Sequence, residues 1–237
     1  MSGERDRERR EASRPAGPGF ATSVLHGGSG PGVDPRSRGD GGPRPHTPAL
    51  HQSSAFTFPD AASAREAFRA ESSSDADGEP AWIYSRLGNP TVRALERRLA
   101  ALESHPVPRS AGGDGSPSPE GPDPDDVDAC FFASGMGAIS ALLLSHAADG
   151  GRIVCQRGIY GTTEHLMDRI ESWGARVTGV PVGDDEALVE AVASGPVDLV
   201  YVESPANPLL QVTDLAAAAE AAHRAGAALA VDATFAT

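Results

Sequence analysis

The sequence contains no lysine: every one of its 20 basic residues is an arginine. Covalent carbonyl chemistry through a side-chain amine is therefore closed to these 237 residues. Cysteine is nearly absent as well, with only Cys130 and Cys155 present. Both stand among apolar neighbours, which predicts two buried free thiols rather than a disulfide or a metal site, in keeping with a reducing cytoplasm. Basic charge is scarce against 33 acidic residues, giving a formal net charge of -13. That balance argues against a nucleic-acid partner, since such binding rests on clustered Lys and Arg. No apolar run approaches the roughly 18 residues of a membrane span. The first residues, charged and then rich in Pro and Gly, show no apolar stretch of the kind that directs secretion, so no membrane role and a cytoplasmic location are expected.

Three stretches carry too little apolar surface to offset the entropy of ordering them: residues 1–19, 28–45 and 104–126. The first two are expected to be disordered or loosely draped. The third reads as a surface insertion between ordered elements. Residues 1–58 read as an N-terminal tail and extended arm, and residues 59–237 as a single large domain.

From Asn89 onward the pattern turns regular. Asn89-Pro90-Thr91 has the form of a helix start, and Val92, Leu95, Leu99 and Leu102 follow at helical spacing. After the insertion, short apolar runs alternate with helical stretches. DACFFA, RIVC, ARVTGV, VDLVYV and AALAVDA are five expected strands, with helices from about Met136, through Leu166 to Trp173, from Glu186 to Ala193 and from Leu215 to Ala225. Such alternation implies an α/β fold with a mostly parallel sheet and helices on both faces. In that architecture chemistry gathers at the carboxyl ends of the strands.

Several residues stand at those ends. Ser134-Gly135-Met136-Gly137 opens a helix, where free N–H groups form a site for an anion, although glycines there also make ordinary turns. It is no dinucleotide fingerprint, because Ser140 holds the third glycine position. Tyr160 stands at the next strand-to-helix junction, suited either to stacking on a planar group or to simple packing. Glu203-Ser204-Pro205-Ala206-Asn207-Pro208 presents a carboxylate and an amide on a proline-stiffened loop. Asp232 ends an apolar strand, and a carboxylate there is expected to face a cation. Upstream, Arg86 of Tyr84-Ser85-Arg86 offers a fork suited to phosphate.

Taken in order, YSRLGNPT, ASGMGAI, IYGTT, VESPANPLL and VDATFAT resemble the motif series of the Cys/Met-metabolism pyridoxal-phosphate enzymes, the cystathionine γ-synthase, cystathionine γ-lyase and methionine γ-lyase family. The resemblance implies a fold-type I large domain, here truncated, with pyridoxal 5'-phosphate as cofactor. It implies that Ser134, Gly135 and Met136 bind the phosphate through backbone N–H groups. Tyr160 would stack on the ring and help expel a γ-leaving group, the one catalytic role it assigns. Asp232 would pair with the ring nitrogen, Asn207 with the phenolic oxygen, and Thr234 would stand behind them. Tyr84 and Arg86 would reach the neighbouring subunit's phosphate site in a homo-oligomer, a dimer of dimers in the family.

Two departures bear on function. Ala233 stands where the family usually has asparagine, and the chain stops at Thr237, where the family continues towards the lysine that holds the cofactor and a C-terminal domain that binds the substrate carboxylate. The parent reaction is γ-elimination or γ-replacement on cystathionine, methionine or an O-acylhomoserine, and the chain as given is expected to be inactive. The alternatives are a non-catalytic partner of an intact homologue, and an α/β enzyme of another class using the Gly135 turn for a nucleotide phosphate.

Overall fold

The computed structural model describes residues 48–72, 82–105 and 127–236. The expectations for residues 1–19 and 28–45, and for 106–126 of the insertion, lie outside the described residues. Ser104 and His105 belong instead to the end of a helix, with Ser104 buried. The chain divides into two compact units, Met1–Phe131 and Phe132–Thr237.

In the first unit, helix α1 (Ala61–Ser72) was not foreseen from the sequence. Asp60 starts it by accepting from the Ser63 backbone N–H at 2.7 Å, and this bond, with that of the Ser63 hydroxyl, holds the Asp60 carboxyl below its ordinary range. Helix α2 (Pro90–Glu103) follows the predicted Asn89 cap, whose side chain accepts from Thr91 N at 2.9 Å. Val92, Leu95 and Leu99 of its apolar stripe are exposed, and the helix instead buries Pro90, Ala94 and Ala100. DACFFA, expected as a strand, joins no sheet. Side chains hold it instead: Arg93 pairs with Asp128 at 2.8 Å, and the Phe131 N–H donates to Glu96 at 3.1 Å. The Phe131 N–H is thus satisfied by a carboxylate and not by a neighbouring strand.

The second unit alternates helix and strand throughout. Helix α3 (Gly135–Ala147), β1 (Arg152–Arg157), α4 (Gly161–Ser172), β2 (Arg176–Pro181), α5 (Asp185–Ala193), β3 (Leu199–Glu203), α6 (Leu215–Arg224) and β4 (Ala228–Asp232) follow one another. The strands form one sheet in the order β2-β1-β3-β4, every pair parallel. Period-two alternation splits the central strands between two cores. Ile153, Cys155, Leu199 and Tyr201 face Leu143 of α3 with Met167 and Ile170 of α4. Val154, Val200 and Val202 face Leu188 and Val192 of α5 with Ala218, Ala221 and Ala222 of α6. Each fully buried Val, Leu or Ile contributes about 1.5–3 kcal/mol. Helices thus cover both faces, as the strand-helix alternation predicts. Among the described residues no helix is long and apolar enough to cross a membrane, and no cluster of His, Cys, Asp or Glu could hold a metal ion.

The two thiols differ, which corrects the sequence expectation for one of them. Cys155 is fully buried in the first core, whereas Cys130, on the strip that forms no strand, is exposed. Burial pushes the Cys155 thiol from 9.0 up to about 11. Native chain is therefore expected to react with one equivalent of a thiol reagent and denatured chain with two, and Cys130→Ser should abolish the native reaction. A thiol held protonated by folding stabilises fully below its unfolded value and less as pH rises. Chemical denaturation should accordingly show stability falling between pH 9.0 and about 11, by on the order of 2–3 kcal/mol, a slope that Cys155→Ala flattens.

Candidate functional site

A cavity of about 320 Å³ opens in the second unit where the carboxyl ends of β3 and β4 meet the start of α3 and the loop after β1. Its volume lies within the range of small-molecule sites. Seven of the nine predicted cofactor residues line it: Ser134, Gly135, Met136, Tyr160, Asn207, Asp232 and Thr234. Tyr84 and Arg86, the other two, lie in the first unit, where the Arg86 guanidinium sits 4.8 Å from the Tyr84 ring centroid.

Helix α3 supplies an anion-attracting wall. Ser134 caps it in extended conformation, with φ -158 and ψ 157, its hydroxyl accepting from Gly137 N at 3.1 Å. Gly137 and Ala138 N–H groups also turn back to the Ser134 carbonyl, leaving those of Gly135 and Met136 as the donors of the first turn without a partner among the described residues. A Cβ added at Gly135 would meet no atom within 4 Å, so the backbone there fronts open space. The macrodipole adds attraction for negative charge at the same place. Met136 is tethered from beneath, its sulfur accepting from the Thr163 hydroxyl at 3.8 Å.

Asp232 forms the opposite electrostatic element. Its two oxygens are divided, one accepting from the Tyr201 hydroxyl at 3.1 Å, the other from Thr234 N at 3.1 Å and the Thr234 hydroxyl at 2.5 Å. The cationic partner expected from the sequence is absent among the described residues. Hydroxyl and amide donors take its place, sufficient because Asp232 is only half-buried. Tyr201 is a fixed donor: burial first, and the neighbouring Asp232 charge next, raise its hydroxyl well above the ordinary tyrosine value.

Tyr160 caps α4 and is 42% exposed, its ring free to meet a ligand. Glu203, at the end of β3, is the carboxylate that the sequence places on the proline-stiffened loop, where no role was assigned to it. It is buried, with one oxygen accepting from Tyr160 N at 3.0 Å and the other from Asn207 N at 2.6 Å. The available signal was an acid directly following the apolar run Val200-Tyr201-Val202, the pattern that drew attention to Asp232. Pro205 of the same loop completes the wall with Ile139 and Phe235, two residues given no role from the sequence.

Residues 125–237 match the family model described as Cys/Met metabolism PLP-dependent enzyme. Over these residues the chain is similar to that family. Among curated relatives, the O-succinylhomoserine sulfhydrylase of Pseudomonas aeruginosa is 37% identical over 81% of this chain and 41% of its own length. The L-methionine gamma-lyase of Pseudomonas putida is 32% identical over 93% of this chain and 46% of its own. The crystal structure of the cystathione gamma lyase CalE6 from Micromonospora echinospora superposes with a TM-score of 0.64 at 30% identity, covering 93% of this chain and 46% of that one. The chain thus spans under half the length of the relatives it matches. Pyridoxal phosphate is the cofactor of this family.

The donor set suits that cofactor: open N–H groups for a dianionic phosphate, a carboxylate for a protonated ring nitrogen, an aromatic face and an amide, all on one cavity. Replacing Tyr201 by Phe removes a donor from Asp232 and is expected to cost about 1 kcal/mol of stability in urea denaturation, without unfolding the chain.

Proposed function

We propose that the cavity holds pyridoxal phosphate and that the chain is the cofactor-holding portion of a transsulfuration-type enzyme, acting by γ-elimination or γ-replacement on cystathionine, methionine or an O-acylhomoserine. The observation that carries this reading is the convergence of the α3 start, Tyr160, Asn207 and Asp232 on one cavity. Bound there, pyridoxal phosphate supplies a conjugated ring that accepts the electron pair left at an amino acid's α carbon.

The chain's own residues would do the rest. The Gly135 and Met136 N–H groups, with Ser134 beside them, would fix the phosphate and set the depth of the ring. Asp232 would hold a proton on the ring nitrogen, and Tyr201 and Thr234 would keep its carboxylate aimed there. The Tyr160 ring would cover one ring face, with its hydroxyl placed to hand a proton to the leaving group. The Asn207 amide would donate to the phenolic oxygen. Tyr84 and Arg86, an exposed pair, would serve the phosphate site of a neighbouring copy in a homo-oligomer.

With no lysine in the sequence, the 237 residues hold the cofactor without a side-chain covalent bond and are inactive alone. The same absence, with the exposed Tyr84–Arg86 pair, favours a second reading as a non-catalytic partner of an intact homologue. Co-purification with a lysine-bearing relative would select it.

Titration of the purified chain with pyridoxal phosphate, followed by absorbance, is expected to show saturable binding that Asp232→Ala weakens about 10- to 100-fold, as loss of a charge-assisted hydrogen bond dictates. Turnover assays with the three substrate types are expected to give no product. Unsaturable binding, or binding indifferent to Asp232→Ala, would remove the cofactor reading, and cofactor-dependent product from this chain alone would overturn the inactivity.

A further inference from the structure

Glu203 presents an unusual charge balance. Its side chain is buried at the end of a strand enclosed along its whole length, yet among the described residues it has no cationic partner. A buried carboxylate is costly unless its oxygens are satisfied. Here backbone amides satisfy them, and those amides belong to Tyr160, after β1, and Asn207, after β3. Both are cavity-lining residues on separate loops. Beneath, the Glu203 backbone N–H donates at 3.0 Å to the carboxamide of buried Gln156, whose nitrogen donates at 2.7 Å to Thr213. Thr213 N donates in turn to Ser204 at 3.1 Å. The Glu203 backbone is anchored from below, and its carboxylate grips two loops above.

We propose that Glu203 is a positioning residue whose carboxylate clamps the loops carrying Tyr160 and Asn207 at a fixed separation, and so sets the width of the cofactor cavity. The inference rests on the cofactor reading for its functional consequence, while the clamp itself rests on the geometry alone. Glutamate is specific to the task. Its two acceptor oxygens meet two donors, whereas glutamine at the same place turns an NH2 group towards one of them. Aspartate, shorter by one methylene, cannot reach both.

Amide hydrogen exchange read by NMR on the full chain tests the clamp, alongside pyridoxal phosphate titration. In the unaltered chain, the Tyr160 and Asn207 amides are expected to be protected. In Glu203→Gln one of the two should exchange about 10-fold faster or more, with Val154 and Val200 keeping their protection, because the sheet itself is untouched. Pyridoxal phosphate affinity should fall about 10-fold in the same variant, since a loosened cavity must be ordered on binding. Unchanged protection of both amides in Glu203→Gln overturns the clamp. If that variant does not fold, Glu203→Asp decides: faster exchange at either amide supports the clamp, and free-peptide rates at both in the unaltered chain overturn it. Failure of the unaltered chain to bind pyridoxal phosphate would instead strike the cofactor reading, leaving the exchange pattern to judge the clamp.

Discussion

Strand β3 is buried at all five positions from Leu199 to Glu203, and that enclosure governs the second unit. A strand closed on both faces must send apolar side chains two ways, and Leu199 and Tyr201 go to one core while Val200 and Val202 go to the other. Parallel neighbours on either side then require crossovers, which the helices provide. The strands consequently all point their carboxyl ends the same way. Polar groups unwelcome within the sheet collect at that edge, and the cavity forms there.

The same edge poses an electrostatic problem, because Glu203 and Asp232 are register partners on adjacent strands. Two carboxylates so placed disfavour one another, and neither has a cation beside it among the described residues. The structure separates them by giving each its own donors. Backbone amides of two loops take Glu203, and the Tyr201 hydroxyl with Thr234 takes Asp232. Glu203 is thereby spent on architecture, which leaves the half-buried Asp232 facing the cavity. Across the cavity the start of α3 offers the opposite polarity. A ligand with a phosphate at one end and a protonatable nitrogen at the other meets both.

Much of this was legible in the sequence, for a physical reason that also marks its limit. The central strands, buried on both faces, read as the apolar runs RIVC and VDLVYV, the edge strands ARVTGV and AALAVDA were recognisable from their alternation with helical stretches, and the residues just beyond the runs were the place to look. DACFFA reads the same way by composition, yet a run becomes a strand only with a ladder partner, and here Glu96 and Arg93 hold it instead. The stripe on α2 shows the converse failure: Val92, Leu95 and Leu99 have helical spacing, but spacing does not say whether the face is covered. Helix α1 escaped because Phe68 is its only large apolar residue, the rest of its apolar positions being alanines, and its start depends on Asp60. Glu203 was visible as a carboxylate at a strand end, but its role was not, because its partners are backbone amides, one of them 43 residues away, and no residue type announces a backbone donor.

Gripping a cofactor without a covalent bond and attaching it covalently draw on different groups, and only the first kind is present among these residues. Every group argued to hold pyridoxal phosphate non-covalently within the second unit lies between Ser134 and Thr234, on loops fixed by one sheet. Those groups need only hydrogen bonds, a dipole and a carboxylate, all of which an arginine-only chain can supply. The amine needed for covalent attachment has no substitute among the remaining side chains, since a guanidinium stays protonated and is not nucleophilic at ordinary pH. The proposed non-covalent grip and the covalent attachment thus rest on separate groups, and the geometry of Glu203, Asp232 and the α3 start bears on the first whatever supplies the second.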